Sequence, residues 1–376
     1  MNVPVGLPVL VFDGDSSLQA MKLHVVADDR TGAFETAAAL ADRGAGPVPV
    51  IAWPTNPPID CHVVVVDLGS RHLAAVDARD RAAGLDQVGP MAHKIDSTLR
   101  GNWAEELTGR HQSTGRPILL IPALPALGRT CIGGTVFDHG RPVHEGNAGI
   151  DARRPVATSR PADMLHASGA NDVRNLADLD DVRDWLGSPA GVAVVDADSQ
   201  STIDTIVSEW ARRPDVLLAG TSVVIGSAAS QLAAPKATMT TLPSIGDGPV
   251  LVACGSLHPI ARAQVERACR LGGAHVFVAT PVPLGAVYDQ NAVAAAHQLA
   301  ADVTVLMERT RFAALVVLGG DTVAAIVGNA TVIVHGSIAP GTAFATVDGI
   351  SVPVITRAGG FGGEDALSEL LWSTLH

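Results

Sequence analysis

The chain has 376 residues, 47% of them hydrophobic, 17% charged and 3% aromatic, a balance that excludes a disordered polymer and leaves room for two domains with cores of their own. The formal net charge is -12, and lysine occurs only at Lys22, Lys94 and Lys236, which argues against any nucleic-acid or anionic-membrane partner. No apolar run reaches the ~18 residues of a membrane span. Cys61, Cys131, Cys254 and Cys269 are scattered without a CxxC pair, so they read as small buried hydrophobes in a reducing cytoplasm and not as a metal site.

Residues 1–20 are broken by Pro4, Pro8, Gly14 and Asp15 and read as a loose extension, with Met21 an alternative start. Regular pattern begins with an apolar strand at 23–27, the turn Asp28-Asp29-Arg30-Thr31-Gly32 and an Ala-rich helix over 33–43. Strand, polar turn, helix is the opening unit of a parallel α/β sheet, whose ligands sit beyond the carboxyl ends of the strands. One of the two aspartates suits a helix cap; the other is then available to a substrate hydroxyl or a metal. Further strands are expected at 48–52 and 62–66. The second, a valine run, ends in Asp67-Leu68-Gly69-Ser70-Arg71, where Arg71 is either an anion ligand or the surface start of the next helix.

A helix over 73–85 and a strand over 91–95 lead to Lys94-Ile95-Asp96-Ser97-Thr98-Leu99-Arg100-Gly101-Asn102. An ammonium, a carboxylate, two hydroxyls, a guanidinium and an amide crowd nine residues. Lysine and arginine suit an anionic ligand, while Asp and the hydroxyls suit a polyol or a metal. The same residues would also serve as a solvated loop in which Thr98 caps a helix over 100–111. After a strand at 117–121, residues 122–145 read as one long loop that brings Arg129, Thr130 and His144 towards the ligand crevice. Strands at 192–196 and 216–219 flank a helix over 201–212.

Residues 234–248, rich in Pro, Thr and Gly, read as the linker between a domain at 21–233 and another at 249–376. The second domain opens with a strand at 249–253, then Gly255-Ser256-Leu257-His258-Pro259 and a helix over 260–271, with proline at the favoured first turn. Strands follow at 275–279 and 314–318, with a helix over 290–309 between them. The strand at 314–318 ends in Gly319-Gly320-Asp321-Thr322, where glycine backbones admit a nucleotide and Asp321 and Thr322 cap a helix or reach phosphates. A strand at 352–355 precedes Arg357-Ala358-Gly359-Gly360-Phe361-Gly362-Gly363 and a closing helix over 365–375. Charged turns in one half and glycine turns in the other point to an anionic polar substrate and a nucleotide. No Gly-Lys dipeptide occurs, which excludes a P-loop, and neither half opens with GxGxxG, which weighs against an NAD dehydrogenase.

These motifs, in this order, resemble the four-carbon acid sugar kinases from Leu23 to the C-terminus. The specific ones are Ala27-Asp28-Asp29-Arg30-Thr31-Gly32-Ala33, Ser70-Arg71, the run from Lys94 to Asn102, the loop from Pro122 to Thr130 with Gly133-Gly134, Pro142-Val143-His144-Glu145, Gly319-Gly320-Asp321-Thr322 and the last glycine turn. The resemblance implies two α/β domains with mainly parallel sheets, an active-site cleft between them, and ATP-dependent phosphorylation of a tetronate or 3-oxo-tetronate hydroxyl with Mg2+. It implies acid binding at Asp28, Asp29, Arg71, Lys94, Ile95, Asp96, Ser97 and Arg100, with Asp29 or Asp96 handling the acceptor proton. It implies nucleotide binding at Ser256, Gly319, Gly320, Asp321, Thr322 and Gly362, and it is compatible with a homo-oligomer. Three features depart from the family pattern. Arg30 replaces an apolar residue and is a candidate for an added substrate contact; the Ser256 turn lacks a second small hydroxyl residue; and Ala358-Gly359-Gly360 replaces a Ser-Gly-Asn pattern. The last two leave open a catalytically weak homologue acting as a sensor or accessory protein.

Overall fold

A computed structural model describes residues 23–55, 62–85, 91–151, 154–231, 242, 245–256, 258–272, 276–280, 292–339, 341–357 and 362–375. The expected N-terminal extension, the Met21 start and most of the 234–248 linker lie outside these residues. The first half runs β1 (Leu23–Ala27), α1 (Arg30–Leu40), β2 (Val48–Ala52), β3 (Val63–Asp67), α2 (Ala75–Ala83), β4 (Met91–Lys94), α3 (Trp103–Thr114) and β5 (Ile118–Ile121). It continues with β6 (Arg129–Ile132), β7 (Thr135–Asp138), β8 (Arg141–Pro142), α4 (Pro161–Ala167), β9 (Val173–Leu176), α5 (Leu179–Gly187), β10 (Val192–Val195), α6 (Gln200–Trp210), β11 (Leu217–Gly220) and α7 (Ser222–Gln231). The second half runs β12 (Val250–Cys254), α8 (Pro259–Gly272), β13 (Val276–Ala279), α9 (Ala292–Arg309), β14 (Ala314–Leu318), α10 (Gly320–Val327), β15 (Val332–Ala339), β16 (Thr342–Val347), β17 (Ile350–Arg357) and α11 (Ala366–Leu375).

Fourteen of the described strands form one mixed sheet in the order β13-β12-β14-β17-β16-β15-β2-β3-β1-β4-β11-β5-β10-β9. The eight strands from β2 to β9 are all parallel, as are β13, β12, β14 and β17; antiparallel pairing is confined to β17-β16-β15-β2. Strands such as Val63–Asp67, apolar up to its final aspartate, and Leu217–Gly220 are apolar runs because both faces of the sheet are buried. The halves join where Val332, Ile333 and Val334 pair with Val50, Pro49 and Val48. On the face that α1 covers, a single apolar core runs across this seam, from Val182 and Ala37 to Val332 and Leu315. The opposite face carries separate cores, the larger ones around Trp103 and Leu120 and around Val252 and Leu370, with small clusters at Val26 and Val64. Among the described residues no helix is long and apolar enough to cross a membrane.

Strand order also locates the site. After β3 the chain crosses β1 to lay down β4 on its far side, and after β13 it crosses β12 to lay down β14. Each reversal opens a crevice at the strand carboxyl ends. The first is edged by the turns after β1 and β4, the second by those after β12 and β14.

Several local expectations are corrected. Residues 122–145 are not one loop: β6, β7 and β8 form a small antiparallel sheet. Gly133 and Gly134 turn the first hairpin with φ of 58° and 67°, the left-handed pair that a two-residue hairpin requires. The helix expected over 100–111 begins at Trp103, because Leu99 and Gly101 have φ of 64° and 92° and cannot be helical. Thr98 therefore caps nothing; its hydroxyl and amide donate to Asp96. The hairpin strands β15 and β16 had no sequence counterpart: His335, Gly336 and Ser337 interrupt the apolar run of β15, and β16 is buried at five of its six positions without an apolar–polar alternation.

Val332 is fully buried at the seam. Val332→Ala is expected to cost about 2 kcal/mol in urea unfolding. Four of the five tryptophans lie in the first half, so a fluorescence change of full amplitude at the shifted urea midpoint is expected if the halves unfold together.

Candidate active site

The turn after β1 places Asp28 and Asp29 side by side with different surroundings. Asp29 is the N-cap of α1, its Oδ1 accepting from Gly32 N at 2.9 Å. Asp28 is completely buried. Arg71, carried past β3, grips it with both arms of its fork: Nε donates to Oδ2 at 2.7 Å and Nη2 to Oδ1 at 2.9 Å. The remaining arm donates from Nη1 to Asp29 Oδ2 at 2.8 Å. Arg71 Nη2 also stands 3.6 Å from Asp96 Oδ1. One guanidinium thus gathers three carboxylates from two strands' ends. Burial alone would raise the Asp28 carboxyl, but Arg71 and Lys94 outweigh it and hold the group below its ordinary value. Burial and the three anions act on Arg71 in the same opposed way, and the anions win, raising it well above the usual arginine value.

The turn after β4 supplies the other charges. Lys94 Nζ lies 4.0 Å from Asp28 Oδ1 and 4.0 Å from Asp29 Oδ1, beyond hydrogen-bond length to either. Asp96 accepts from Arg100, Nε at 3.2 Å and Nη2 at 3.1 Å, and from Thr98. Burial opposes ionisation of Asp96, yet Arg100, Arg71 and Lys94 hold it well below the ordinary carboxylate value. Arg100 reaches on to Asp151 Oδ2 at 3.4 Å. From the small sheet, Arg129 Nη1 donates to Ser97 Oγ at 2.7 Å.

A buried polar layer supports these turns. Glu106, on α3, accepts from Ser70 Oγ at 2.5 Å and from His93 Nε2 at 2.9 Å, so it braces the residues just before Arg71 and Lys94. Burial depresses the His93 pKa and keeps the ring neutral; Arg110 Nη1 donates to its Nδ1 at 3.3 Å. Asn102 Nδ2 donates to Ser70 O at 2.8 Å and Leu73 O at 3.1 Å. Two glycines are obligatory here. A Cβ on Gly101, where φ is 92°, would stand 2.8 Å from Asp28 Oδ2, and one on Gly32 would stand 2.4 Å from Lys94 Nζ.

These groups line a cavity of about 470 Å³ that also takes in Ser256, His258, Gly319 and Gly320 of the second half. A Cβ on Gly320 would lie 3.3 Å from Asp29 Oδ2, so the start of α10 directly adjoins the capping aspartate. Of the expected acid-binding residues, Asp29, Arg71, Lys94, Ile95, Asp96, Ser97 and Arg100 line the cavity. Asp28 does not; it lies behind, holding Arg71. Of the expected nucleotide residues, Ser256, Gly319 and Gly320 line it, whereas Asp321, Thr322 and Gly362 do not. Thr322 is buried against Gly255, and Gly362 (φ 76°) packs on Arg357. Residues 257 and 358–361, which complete these turns, lie outside the described residues.

Arg30 makes no contact in the cavity: its Nε donates to Asp67 Oδ2 at 2.7 Å and its Nη2 to Gly328 O at 3.2 Å, tying the first turn to the far end of α10. Arg129 faces the cavity as expected, but Thr130 does not, and His144 bonds Ser159 through Nδ1 at 2.7 Å. Sequence reasoning missed Glu35, Asp138 and Asp151 as lining carboxylates. Glu35 sits in α1, Asp138 at the end of β7 and Asp151 in a connection, none of them in a motif that marks a site, and only the folded sheet brings them to the crevice.

The sugar-binding N-terminal domain family matches residues 23–230. The D-threonate kinase of Salmonella typhimurium is 26% identical over 94% of this chain and 98% of its own length. The D-threonate kinase of Bordetella bronchiseptica is 30% identical over 92% of this chain and 95% of its own. A solved Haemophilus influenzae protein shares the fold, with a TM-score of 0.69 at 19% identity over 94% of this chain and all of its own. With more than half its length matched by that domain and a relative aligned nearly end to end, the chain belongs to the sugar-binding N-terminal domain family, that of the four-carbon acid sugar kinases.

Proposed function

We propose that the protein is an ATP-dependent kinase that phosphorylates a hydroxyl of a four-carbon sugar acid, with D-threonate the first substrate to try. The observation that carries this reading is the contact between Asp29 and Gly320: an acid-side carboxylate stands against the start of a helix suited to phosphate. The N-terminal half then serves as the acid domain, the C-terminal half as the nucleotide domain, and the cavity as the cleft between them. Ser256 and the Gly319-Gly320 backbone seat the phosphates, with Asp321, Thr322 and Gly362 supporting those turns.

Arg71 gives three N–H donors to Asp28 and Asp29 and pairs with Asp96, so its role here is to fix carboxylates. Lys94 keeps its donors for the substrate carboxylate, with Ser97 and Arg129 beside it. Arg100, Arg71 and Lys94 hold Asp96 well below the ordinary carboxylate value, which makes it a poor base; Asp29, at the cavity wall beside Gly320, takes the acceptor proton. The acceptor oxygen bonds to the γ-phosphorus as the bond to the β–γ bridging oxygen breaks; the proton passes to Asp29 Oδ2 and ADP leaves.

Four cations line the cavity (Arg71, Lys94, Arg100, Arg129) against five carboxylates (Asp29, Glu35, Asp96, Asp138, Asp151). The chain therefore cannot neutralise a triphosphate alone. Among the described residues no cluster of three or more His, Cys, Asp or Glu is set to cage a metal. Both facts fit a magnesium ion that arrives on the nucleotide and would take one or two of the lining carboxylates. Bound there, Mg2+ supplies charge neutralisation at the phosphates.

The test is ADP release with Mg-ATP and a panel of tetronates and 3-oxo-tetronates. Turnover of one acid supports the kinase; thermal stabilisation by an acid without turnover would favour a sensor instead. Asp29→Asn keeps the helix cap, so the variant is expected to fold while kcat drops about 10²- to 10⁴-fold. Lys94→Met is expected to raise the KM for the acid about 10- to 100-fold with a smaller change in kcat, the loss of one charge-assisted hydrogen bond.

A further inference from the structure

Thr31 is the second residue of α1 and was not among the expected site residues. It is 8% exposed and lines the cavity. Among the described residues its Oγ1 has no hydrogen-bond partner. A Cβ on Gly320 would stand 3.0 Å from that oxygen. The hydroxyl therefore faces the first residue of α10, and the N-termini of α1 and α10 meet at this corner of the cavity. Two helix N-termini concentrate partial positive charge and outward-pointing N–H groups. A buried hydroxyl left unpaired there costs stability. Asp29 Oδ1 accepts from Gly32 N and Asp29 Oδ2 from Arg71, and neither oxygen bonds the Thr31 hydroxyl.

We propose that Thr31 is a catalytic residue whose hydroxyl donates a hydrogen bond to an equatorial oxygen of the phosphoryl group in flight between nucleotide and acid. The assignment rests on the kinase reading. It adds to it a specific contact, made by the acid-side turn, that is strongest when the phosphoryl group lies midway. Thr31 exchanges no proton and forms no covalent bond; the bonds made and broken are those between acceptor oxygen, γ-phosphorus and bridging oxygen. Position favours this role over acid binding. Ser97 and Arg129 are paired at one side of the cavity, while the Thr31 hydroxyl and Asp29 Oδ2 both face Gly320.

The experiment compares wild type, Thr31→Val and Thr31→Ser. Valine keeps the shape and removes the hydroxyl. Thr31→Val is expected to unfold at the same or a higher urea concentration than wild type. Its kcat is expected to fall about 10- to 100-fold with the KM for the acid nearly unchanged, and Thr31→Ser to recover most of the rate. Thermal stabilisation by inorganic phosphate, used as the bare group, should be weaker in Thr31→Val than in wild type. Loss of stability together with activity would make the hydroxyl structural and overturn the proposal. So would an unchanged kcat, or equal stabilisation of both proteins by phosphate. Failure of wild type to phosphorylate any tetronate would instead overturn the kinase reading, and the phosphate comparison would still decide for or against the Thr31 contact.

Discussion

Everything at the site depends on one guanidinium. Arg71 stands between Asp28, Asp29 and Asp96, and without it three carboxylates from two neighbouring turns would repel one another in a largely dry crevice. Removing one partner of such a buried pair costs about 3–5 kcal/mol, because the remaining charge is stranded. The arrangement is also a division of labour. Asp28 is spent on holding Arg71, which frees Asp29 to face the cavity. Lys94 adds charge without being consumed, since it sits too far from either aspartate to bond it closely. Beneath lies a layer in which Glu106 grips both Ser70 and His93. The two cations are thus placed by rigid neighbours and do not rely on their own flexible stems.

Much of this was legible in the sequence, and the reasons can be named. The valine-rich strands and the polar turns after them follow from periodicity and from the parallel α/β rule. The Lys94 to Asn102 run is dense enough in chemistry to announce itself. What could not be read was partnership. Two adjacent aspartates look equivalent on paper, yet one is a helix cap facing the cavity and the other a buried counter-ion. Arg30 looked like a substrate ligand because it sits in the motif; its length carries it away to Asp67 and Gly328 instead. Residues 122–145 looked like a loop because short strands joined by paired glycines give little periodic signal. Asp138 and Asp151 belong to the site only through long-range folding.

The glycine turns of the second half bear on the same theme. Thr322 and Gly362 sit behind the cavity wall and not in it, so the glycine turns act through backbone shape as much as through side-chain contact. The cavity's own charge is close to balance, which suits a reaction in which both substrates are anions. A strongly positive pocket would hold them at rest; a balanced one leaves room for stabilisation to grow as charge moves between them.

The seam between β2 and β15 has a consequence for how the chain is made. Val48, Val50, Val332 and Val334 become neighbours although nearly three hundred residues separate them along the chain. At ribosomal speeds of about 5–20 residues per second, β2 waits on the order of half a minute for its partner. Throughout that interval the nascent first half carries an apolar sheet edge with unpaired backbone groups, the kind of surface on which chains aggregate. The strand that finally covers it belongs to the half that supplies Ser256, Gly319 and Gly320 to the cavity, so completing the cavity and sealing the sticky edge are one event in the biogenesis of this protein.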